Sequence, residues 1–114
     1  MKDDRFYLIY ITECIDRIQQ YTVDGKDYFL ADAKTQDAVL RNLQILSEST
    51  QRLSPALKAA HPDVDWRRIA GFRNILVHDY LGINHLRVWD VIEQNLPDLQ
   101  GKITMILQQL KETT

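Results

Sequence analysis

Apolar residues recur every three or four positions along most of this chain, which is the spacing of one face of an α-helix. A first run predicts a helix over roughly 3–22, and its apolar positions are Leu8, Ile11, Ile15 and Ile18. A second run predicts a helix over roughly 34–53, and its apolar positions are Val39, Leu40, Leu43 and Leu46. Gly25 lies between the two runs and predicts the turn that ends the first helix.

Residues that favour helix starts and stops divide the rest of the chain. Asp3 or Asp4 is the predicted N-cap of the first helix, and Ser54 followed by Pro55 opens a short helix that ends before His61-Pro62. Three further N-caps and stops follow the same rules. Asp65 caps a helix that starts at Trp66 and is closed by Gly82, and Asn84 caps the next one.

The C-terminal part predicts two more helical segments separated by a proline. The helix after Asn84 is expected to break or bend at Leu96-Pro97, because proline lacks the backbone N–H of a helix interior. The last helix has an apolar side formed by Leu99, Ile103, Ile106, Leu107 and Leu110. No segment alternates with period two between hairpin turns, so the prediction is all-α: a single domain over 1–114, a bundle of four to five antiparallel helices.

Composition narrows the class of protein without naming a function. Apolar residues make up 45% of the 114 residues and charged residues 26%, as in ordinary globular domains. The net charge of -2 gives no global attraction to nucleic acid, so a polyanion partner would need a local basic patch. Cys14 is the single cysteine and has no partner for an internal disulfide. With neither a signal peptide nor a long apolar span, we expect a cytoplasmic protein with no membrane partner.

The stretch GFRNILVHDYLGIN, residues 71–84, is unusual because a mostly apolar helix carries a cluster of polar groups. Asn74 and His78 are four positions apart and share a face of a continuous helix, whereas Arg73 and His78 are separated by about 140°. Arginine is long enough to reach part of the way, or the helix unwinds at His78 towards Gly82. The sequence does not decide between these two arrangements.

Arginine and histidine together suit the cleavage of RNA without a metal or other cofactor. The planar fork of arginine matches phosphate oxygens, and histidine moves protons near neutral pH. In such a reaction the 2′-hydroxyl loses its proton and attacks phosphorus, while the leaving 5′-oxygen gains a proton. Two proton-transfer groups are required and the motif contains one histidine. A homodimer that joins two copies of Arg73 and His78 in one cleft would supply both groups.

This motif resembles a known family. RNILVHDY, residues 73–80, matches the R-x-x-x-x-H-x-Y signature of the HepT-like branch of HEPN proteins, small helical ribonuclease toxins of bacterial toxin–antitoxin pairs. The surrounding segments are similar as well, and they are DAVLRNLQILSEST (37–50), DWRRIAGFRN (65–74) and HLRVWDVIEQNLPDL (85–99).

The resemblance implies a role for each residue that matches the motif. Arg73 and His78 correspond to the catalytic pair, and Asn74 is the polar residue that accompanies them. Tyr80 corresponds to the tyrosine that an MntA-like antitoxin, a minimal nucleotidyltransferase, modifies with AMP. The implied substrate is RNA, in some members tRNA, and the implied enzyme is a metal-independent endonuclease.

Other charged residues near the motif have open interpretations. Arg67 and Arg68 either thicken a basic patch or lie on a solvated helix face, and Arg87 and His85 either extend a phosphate-binding rim or lie on the surface. Histidine and tyrosine at a helix end are also often structural. Asp63-Val-Asp65 resembles a metal-binding pair, but Asp65 has a simpler role as an N-cap.

Two functions from other classes remain open on the sequence. A non-catalytic module would bind a nucleotide or dock a nucleotidyltransferase through the same Arg73 and Tyr80, without proton transfer. A purely structural helical subunit would need Arg73, His78 and Tyr80 only for stability.

Overall fold

The computed structural model describes residues 3–76 and 82–112, and every regular element in that part of the chain is helical. The α-helices in chain order are α1 (Asp4–Tyr21), α2 (Lys26–Ala31), α3 (Ala33–Gln51), α4 (Pro55–Ala60), α5 (Trp66–Leu76), α6 (His85–Asp90) and α7 (Leu96–Glu112). A π-helical segment, Val91–Asn95, joins α6 to α7. The all-α prediction is confirmed. None of these helices is long and apolar enough to cross a membrane.

Two side-chain contacts fix the direction of α1 relative to its neighbours. Ser54, just beyond the end of α3, donates its backbone N–H and its hydroxyl to the two carboxylate oxygens of Asp4, at 2.8 Å and 2.6 Å. At the other end of α1, the Gln19 amide donates to Gln100 near the start of α7, at 2.9 Å. Helix α1 therefore runs antiparallel to both α3 and α7, as predicted for an antiparallel bundle.

The core is built from the apolar stripes that the helical spacing predicted. Helix α1 contributes the fully buried side chains of Leu8, Ile11, Cys14, Ile15 and Ile18, and α3 contributes Val39, Leu43 and Leu46. Helix α7 adds Leu99, Ile103 and Ile106. Burial raises the pKa of the Cys14 thiol, since the charged thiolate would lose its hydration. Cys14 is therefore a packed side chain in its protonated form.

Helix caps lie at the predicted residues. The carboxylate of Asp3 accepts from the N–H of Phe6, and the Ser54 hydroxyl accepts from the N–H of Leu57. Asp65 and Asn84 cap α5 and α6 in the same way. A further cap was not foreseen: Asp32 accepts from both the hydroxyl and the N–H of Thr35, and these bonds lower the pKa of Asp32. The start of α3 is thus fixed by a charged cap.

Helix α2 was missed by the sequence prediction, which placed a plain turn at this position. Helix α1 ends at Tyr21, and Gly25 instead precedes α2 with a φ of 92° that favours glycine. The six-residue α2 is too short to show a repeat, and Phe29 is its one buried side chain. The Phe29 ring packs on Trp89 of α6, with ring centroids 5.7 Å apart. The burial of this one aromatic ring stabilises the helix, and no local pattern in the sequence predicts it.

The predicted break at Leu96-Pro97 takes a different form. The backbone stays helical, and its last turn before Pro97 widens so that the N–H of Leu96 bonds to the carbonyl of Val91. Proline in a regular helix would collide with the carbonyl four residues earlier and leave it unbonded. One widened turn removes that conflict while keeping the chain helical. The π turn also sets the directions of Val91 and Asn95.

The junction of Asp4 and Ser54 is the first target for a stability measurement. We expect Ser54→Ala to lower the free energy of unfolding by about 1–2 kcal/mol, because it removes a helix cap together with a bond to a carboxylate. Urea denaturation followed by circular dichroism should also give a coupling above about 0.5 kcal/mol in a double-mutant cycle with Asp4→Ala. Additive effects of the two substitutions would mean that this contact does not stabilise the bundle.

Candidate active site

Arg73 lies near the end of α5 with an exposed side chain. Its Nη1 donates to the side-chain oxygen of Gln51, the last residue of α3, at 3.2 Å. This acceptor is a neutral amide, and Arg73 makes no ion pair with any other described residue. The guanidinium is therefore oriented by a neutral acceptor, and no described residue compensates its charge.

Helix α5 is fixed in place by apolar packing and by two buried or half-buried polar contacts. Ile69 and Phe72 are buried in the core. The Ser47 hydroxyl of α3 donates to the carbonyl of Ile69 in a fully buried bond of 3.3 Å. At the start of α5, the Trp66 indole N–H is shared between two carbonyls of the preceding segment, Lys58 and His61. The Trp66 side chain is thus half-buried and hydrogen-bonded.

The remaining motif residues divide between described and undescribed parts of the chain. Asn74 is exposed beside Arg73, and it lies on the same face of α5 as Arg67, seven positions earlier. His78 and Tyr80 lie outside the described residues. Whether Arg73 and His78 converge therefore remains a prediction from the sequence.

A second group of cations surrounds a cleft of about 510 Å³ between α5 and the α6–π segment. Arg67 and Arg68 approach it from α5, and Arg87 approaches it from α6. Three of the four residues predicted as RNA contacts are thus brought together by the fold. Arg73, in contrast, bonds to α3 on another side of α5.

The cleft contains carboxylates as well as arginines. Asp65 lies 3.7 Å from the Arg68 guanidinium and also caps α5 through the N–H of Arg68. Asp90 lines the opposite wall and forms no ion pair or hydrogen bond with another described side chain. Arg67 and Arg87 likewise have no carboxylate partner among the described residues. The local charge is positive in a protein whose net charge is -2.

The cleft has an apolar floor, and an amide side chain lies on its wall. Phe72 and Val91 are buried core residues whose edges reach the cleft, and Gly71 leaves space between them and the rim. Asn95, the last residue of the π turn, lines the same cleft. An apolar floor beneath uncommitted polar groups is the usual make-up of a small-ligand site.

His85 does not lie where the sequence suggested. Its ring is half-buried and packs edge-on against Phe29, with centroids 6.1 Å apart, so it is neither a solvated surface group nor part of the cleft wall. Its Nδ1 and the Trp89 indole N–H, four positions later, are buried and have no hydrogen-bond partner among the described residues. The N-cap at Asn84 turns His85 inward, towards the ring that α2 supplies.

The comparison with known proteins adds a family to this geometry. The family model described as ribonuclease HepT-like matches residues 11–106, which is most of the chain. The chain belongs to this family. The resemblance seen in the motif is thereby confirmed, together with the enzyme class, an RNA endonuclease. No solved structure matches the chain at a significant level.

Individual relatives of this HepT-like protein carry names of the same kind. A protein named probable ribonuclease HepT from Thermococcus cleftensis is 36% identical over 97 residues, covering 84% of this chain and 88% of the relative. One named mRNA nuclease HepT from Shewanella oneidensis is 31% identical, covering 84% and 90%. A candidate RNase of Caldanaerobacter subterraneus subsp. tengcongensis is 33% identical over 112 residues and is covered completely.

Several residues around Arg73 and the cleft were missed by sequence reasoning. Gln51, which holds Arg73, is one of several glutamines near a helix end and shows no local signal. Asp90 is the last residue of α6 and Asn95 is the last residue of the π turn; both line the cleft, and neither belongs to the sequence motif. Asp65 was foreseen as a cap, and the structure gives it that role. The described residues contain no group of three or more His, Cys, Asp or Glu that could hold a metal.

Gly71 offers a clean test of the cleft in this HepT-like protein. A Cβ added at Gly71 would meet no atom within 4 Å, and the same is true of Gly101 in α7. Because helical glycine costs about 0.5–1 kcal/mol relative to alanine, we expect Gly71→Ala and Gly101→Ala to stabilise the fold equally. Thermal unfolding measures this effect. A loss of stability confined to Gly71→Ala would show that the cleft is closed in solution.

Proposed function

We propose that this chain is a metal-independent endoribonuclease toxin of a bacterial toxin–antitoxin pair, acting as a homodimer. Arg73 stabilises the charge of the phosphorane and His78 transfers protons, with Asn74 beside them. The observation that carries the proposal is the state of Arg73: an exposed guanidinium, held by the neutral side chain of Gln51, with its charge uncompensated within the described part of the chain.

The reaction follows from the chemistry of these side chains. A neutral His78 takes the proton of the ribose 2′-hydroxyl, and the 2′-oxygen forms a bond to the adjacent phosphorus. Negative charge grows on the non-bridging oxygens, where the free N–H donors of Arg73 stabilise it. The bond to the 5′-oxygen then breaks, and a protonated histidine supplies the proton to that leaving group. The products are a 2′,3′-cyclic phosphate and a 5′-hydroxyl.

The dimer follows from the number of proton-transfer groups. One copy of the motif contains one histidine, while the reaction needs a base and an acid. A cleft formed by two copies of the motif supplies His78 twice and Arg73 twice. Gln51 supports this arrangement, since it fixes Arg73 at the exposed end of α3, where a second copy has access.

Control by an antitoxin is the second part of the proposal. Tyr80 lies two positions after His78, and an MntA-like minimal nucleotidyltransferase would transfer AMP to its hydroxyl. The added phosphate carries negative charge and the adenosine is bulky, so RNA would be repelled and blocked. The substrate is RNA, and tRNA is the substrate in some members of the family that the motif resembles. The Shewanella relative is named an mRNA nuclease, which makes mRNA the comparison substrate.

RNA cleavage in EDTA tests the catalytic proposal. Purified wild-type protein should cut total cellular RNA, and His78→Ala and Arg73→Ala should each cut at least about 100-fold more slowly, because each removes a proton-transfer group or a charge on the phosphorane. Gln51→Ala should slow cleavage less, since it frees Arg73 without removing it. The 3′ ends of the products should be cyclic phosphates.

Arg41→Ala is the matched control for this experiment. Arg41 is an exposed arginine of α3 and lines neither the cleft nor the neighbourhood of Arg73. If Arg41→Ala and Arg73→Ala lower the rate of cleavage equally, Arg73 contributes only a general electrostatic attraction for RNA. Mass spectrometry should first show that Tyr80 is unmodified. If the wild type and every variant then leave RNA intact, the enzyme hypothesis is refuted, and the chain is a non-catalytic module that binds a nucleotide or docks a nucleotidyltransferase.

Modification of Tyr80 has its own measurement. Incubation with a minimal nucleotidyltransferase and ATP should raise the mass of the wild-type chain by whole AMP units and abolish cleavage. Tyr80→Phe should gain no mass and stay active. Tyr21→Phe and Tyr28→Phe, at exposed positions elsewhere, should be modified like the wild type. AMP found on Tyr21 or Tyr28 would refute the assignment to Tyr80.

A further inference from the structure

The cleft between α5 and the α6–π segment has a chemistry that Arg73 and His78 do not explain. Its rim carries Arg67 and Arg87, which have no ion-pair partner among the described residues, and its wall carries Asp90 and Asn95. Arg73 bonds to α3 and takes no part in this wall. The cleft is therefore a place where a second portion of an RNA strand could be bound, away from the bond that is cut.

We propose that this cleft is a specificity subsite that binds one unstacked guanine nucleotide of the RNA strand. Arg67 and Arg87 bind its phosphate, while Asp90 and Asn95 bind the edge of its base. This inference rests on the proposed function, cleavage of RNA, and names the sequence feature that the nuclease selects.

The size of the cleft matches that of a single nucleotide. Ligand sites of about 300–1,000 Å³ hold small molecules of drug or nucleotide size, and this cleft has about 510 Å³. A base splayed out of a single strand fits this volume, and such bases are the usual means by which proteins read RNA sequence.

The phosphate contacts follow from the free charges at the rim. Arg68 is already paired with Asp65, whereas Arg67 and Arg87 have no carboxylate partner among the described residues. They approach from two different helices, so a phosphate between them would be bound from both sides. Two planar guanidinium groups at this position match the oxygens of one phosphodiester.

The base contacts follow from the donors and acceptors on the wall. An ionised Asp90 can only accept hydrogen bonds, and Asn95 can both donate and accept. The Watson–Crick edge of guanine presents two adjacent donors, N1–H and the N2 amino group, beside the O6 acceptor. Adenine, cytosine and uracil each lack that pair of donors. Only guanine therefore offers the Asp90 carboxylate two hydrogen bonds at once on this edge, while the Asn95 amide can donate to O6.

The floor of the cleft suits the flat face of a base. Phe72 and Val91 are buried at 3% and 5% exposure, and their edges form the apolar surface below the rim. The π turn sets Val91 and Asn95 at the same wall, one under the base and one at its edge. Widened turns of this type occur often at functional sites, because they re-aim side chains that a regular helix would place elsewhere.

The position of the cleft along α5 sets its distance from the cleaved bond. Arg67 and Asn74 share one exposed face of α5 and are about 10 Å apart along the helix axis. This is roughly the rise of three stacked nucleotides at about 3.4 Å each. A strand that follows this face would place a guanine a few nucleotides from the phosphate at Arg73.

Binding of labelled oligonucleotides tests the phosphate contacts. The probes are fluorescein-labelled octauridine with one central guanosine, and the same strand with adenosine instead, measured by anisotropy in EDTA with His78→Ala protein. The double variant Arg67→Gln/Arg87→Gln should weaken binding at least about 10-fold and flatten the slope of log affinity against log salt by about 0.7, the value for the one phosphate that the two arginines share. Arg5→Gln/Arg41→Gln, exposed on α1 and α3, is the control with the same change of charge and should leave the slope nearly unchanged.

The base contact can be tested with Asp90→Asn, which should lower the selectivity for guanosine without lowering the affinity for the adenosine strand. Wild-type cleft residues should favour the guanosine strand at least about 5-fold, as expected for one bidentate contact. Asp90→Asn should abolish that preference while affinity for the adenosine strand rises or stays constant, since a negative charge has gone. Asp37→Asn, an exposed carboxylate of α3, should keep the preference. Equal affinity of the parent for both strands, or an unchanged preference in Asp90→Asn, overturns the assignment of guanine.

Mapping of cleavage sites separates this inference from the proposed function. With active protein, cuts should lie at a fixed distance from guanosines, and Asp90→Asn should scatter them. Cleavage with unchanged sites in Asp90→Asn and in Arg67→Gln/Arg87→Gln refutes the subsite and leaves the nuclease intact. Guanosine-selective binding without any cleavage refutes the nuclease and leaves a nucleotide site. Circular dichroism of each variant confirms that the bundle is folded.

Discussion

The attachment of α5 to α3 is the constraint on which both parts of the site depend. Ile69 and Phe72 anchor α5 in the core, and the buried bond from Ser47 to the carbonyl of Ile69 fixes it along α3. With α5 held at that position, Arg73 reaches Gln51 on one side, while Arg67 and Arg68 rim the cleft on another. One short helix therefore serves two surfaces. The core packing that stabilises α5 also orients its charges.

The distribution of charge matters more to this nuclease than its total. A net charge of -2 would repel RNA if it were spread evenly. Arg67, Arg87 and Arg73 instead have no carboxylate partner in the described part of the chain, and Arg73 is held by an amide. Most acidic residues lie elsewhere, and Asp65 is occupied by a cap and by Arg68. A mildly acidic protein thus presents a locally cationic surface along α5.

Two elements support the wall of the cleft, and one of them resolves a conflict in helix geometry. Pro97 prevents a regular turn before α7, and the widened turn over Val91–Asn95 resolves that conflict without breaking the helix. The same turn directs Asn95 into the cleft. Helix α2 acts from the other side, because Phe29 packs on Trp89 and supports α6, which carries Arg87 and Asp90. The cleft wall is therefore supported by the core.

The sequence determined the elements whose signals are local. Apolar spacing identified the stripes of α1, α3 and α7, and the caps at Asp3, Ser54, Asp65 and Asn84 were legible because a cap acts within three residues. The motif over 73–80 identified the family, since its residue types and spacing are contiguous in the chain. The tertiary structure decided the rest. Packing selected contacts between residues that are distant in sequence and that no local pattern predicts. These are the contact of Phe29 in α2 with His85, the bond from Arg73 to Gln51, and the shared lining of the cleft by Arg67 and Arg87.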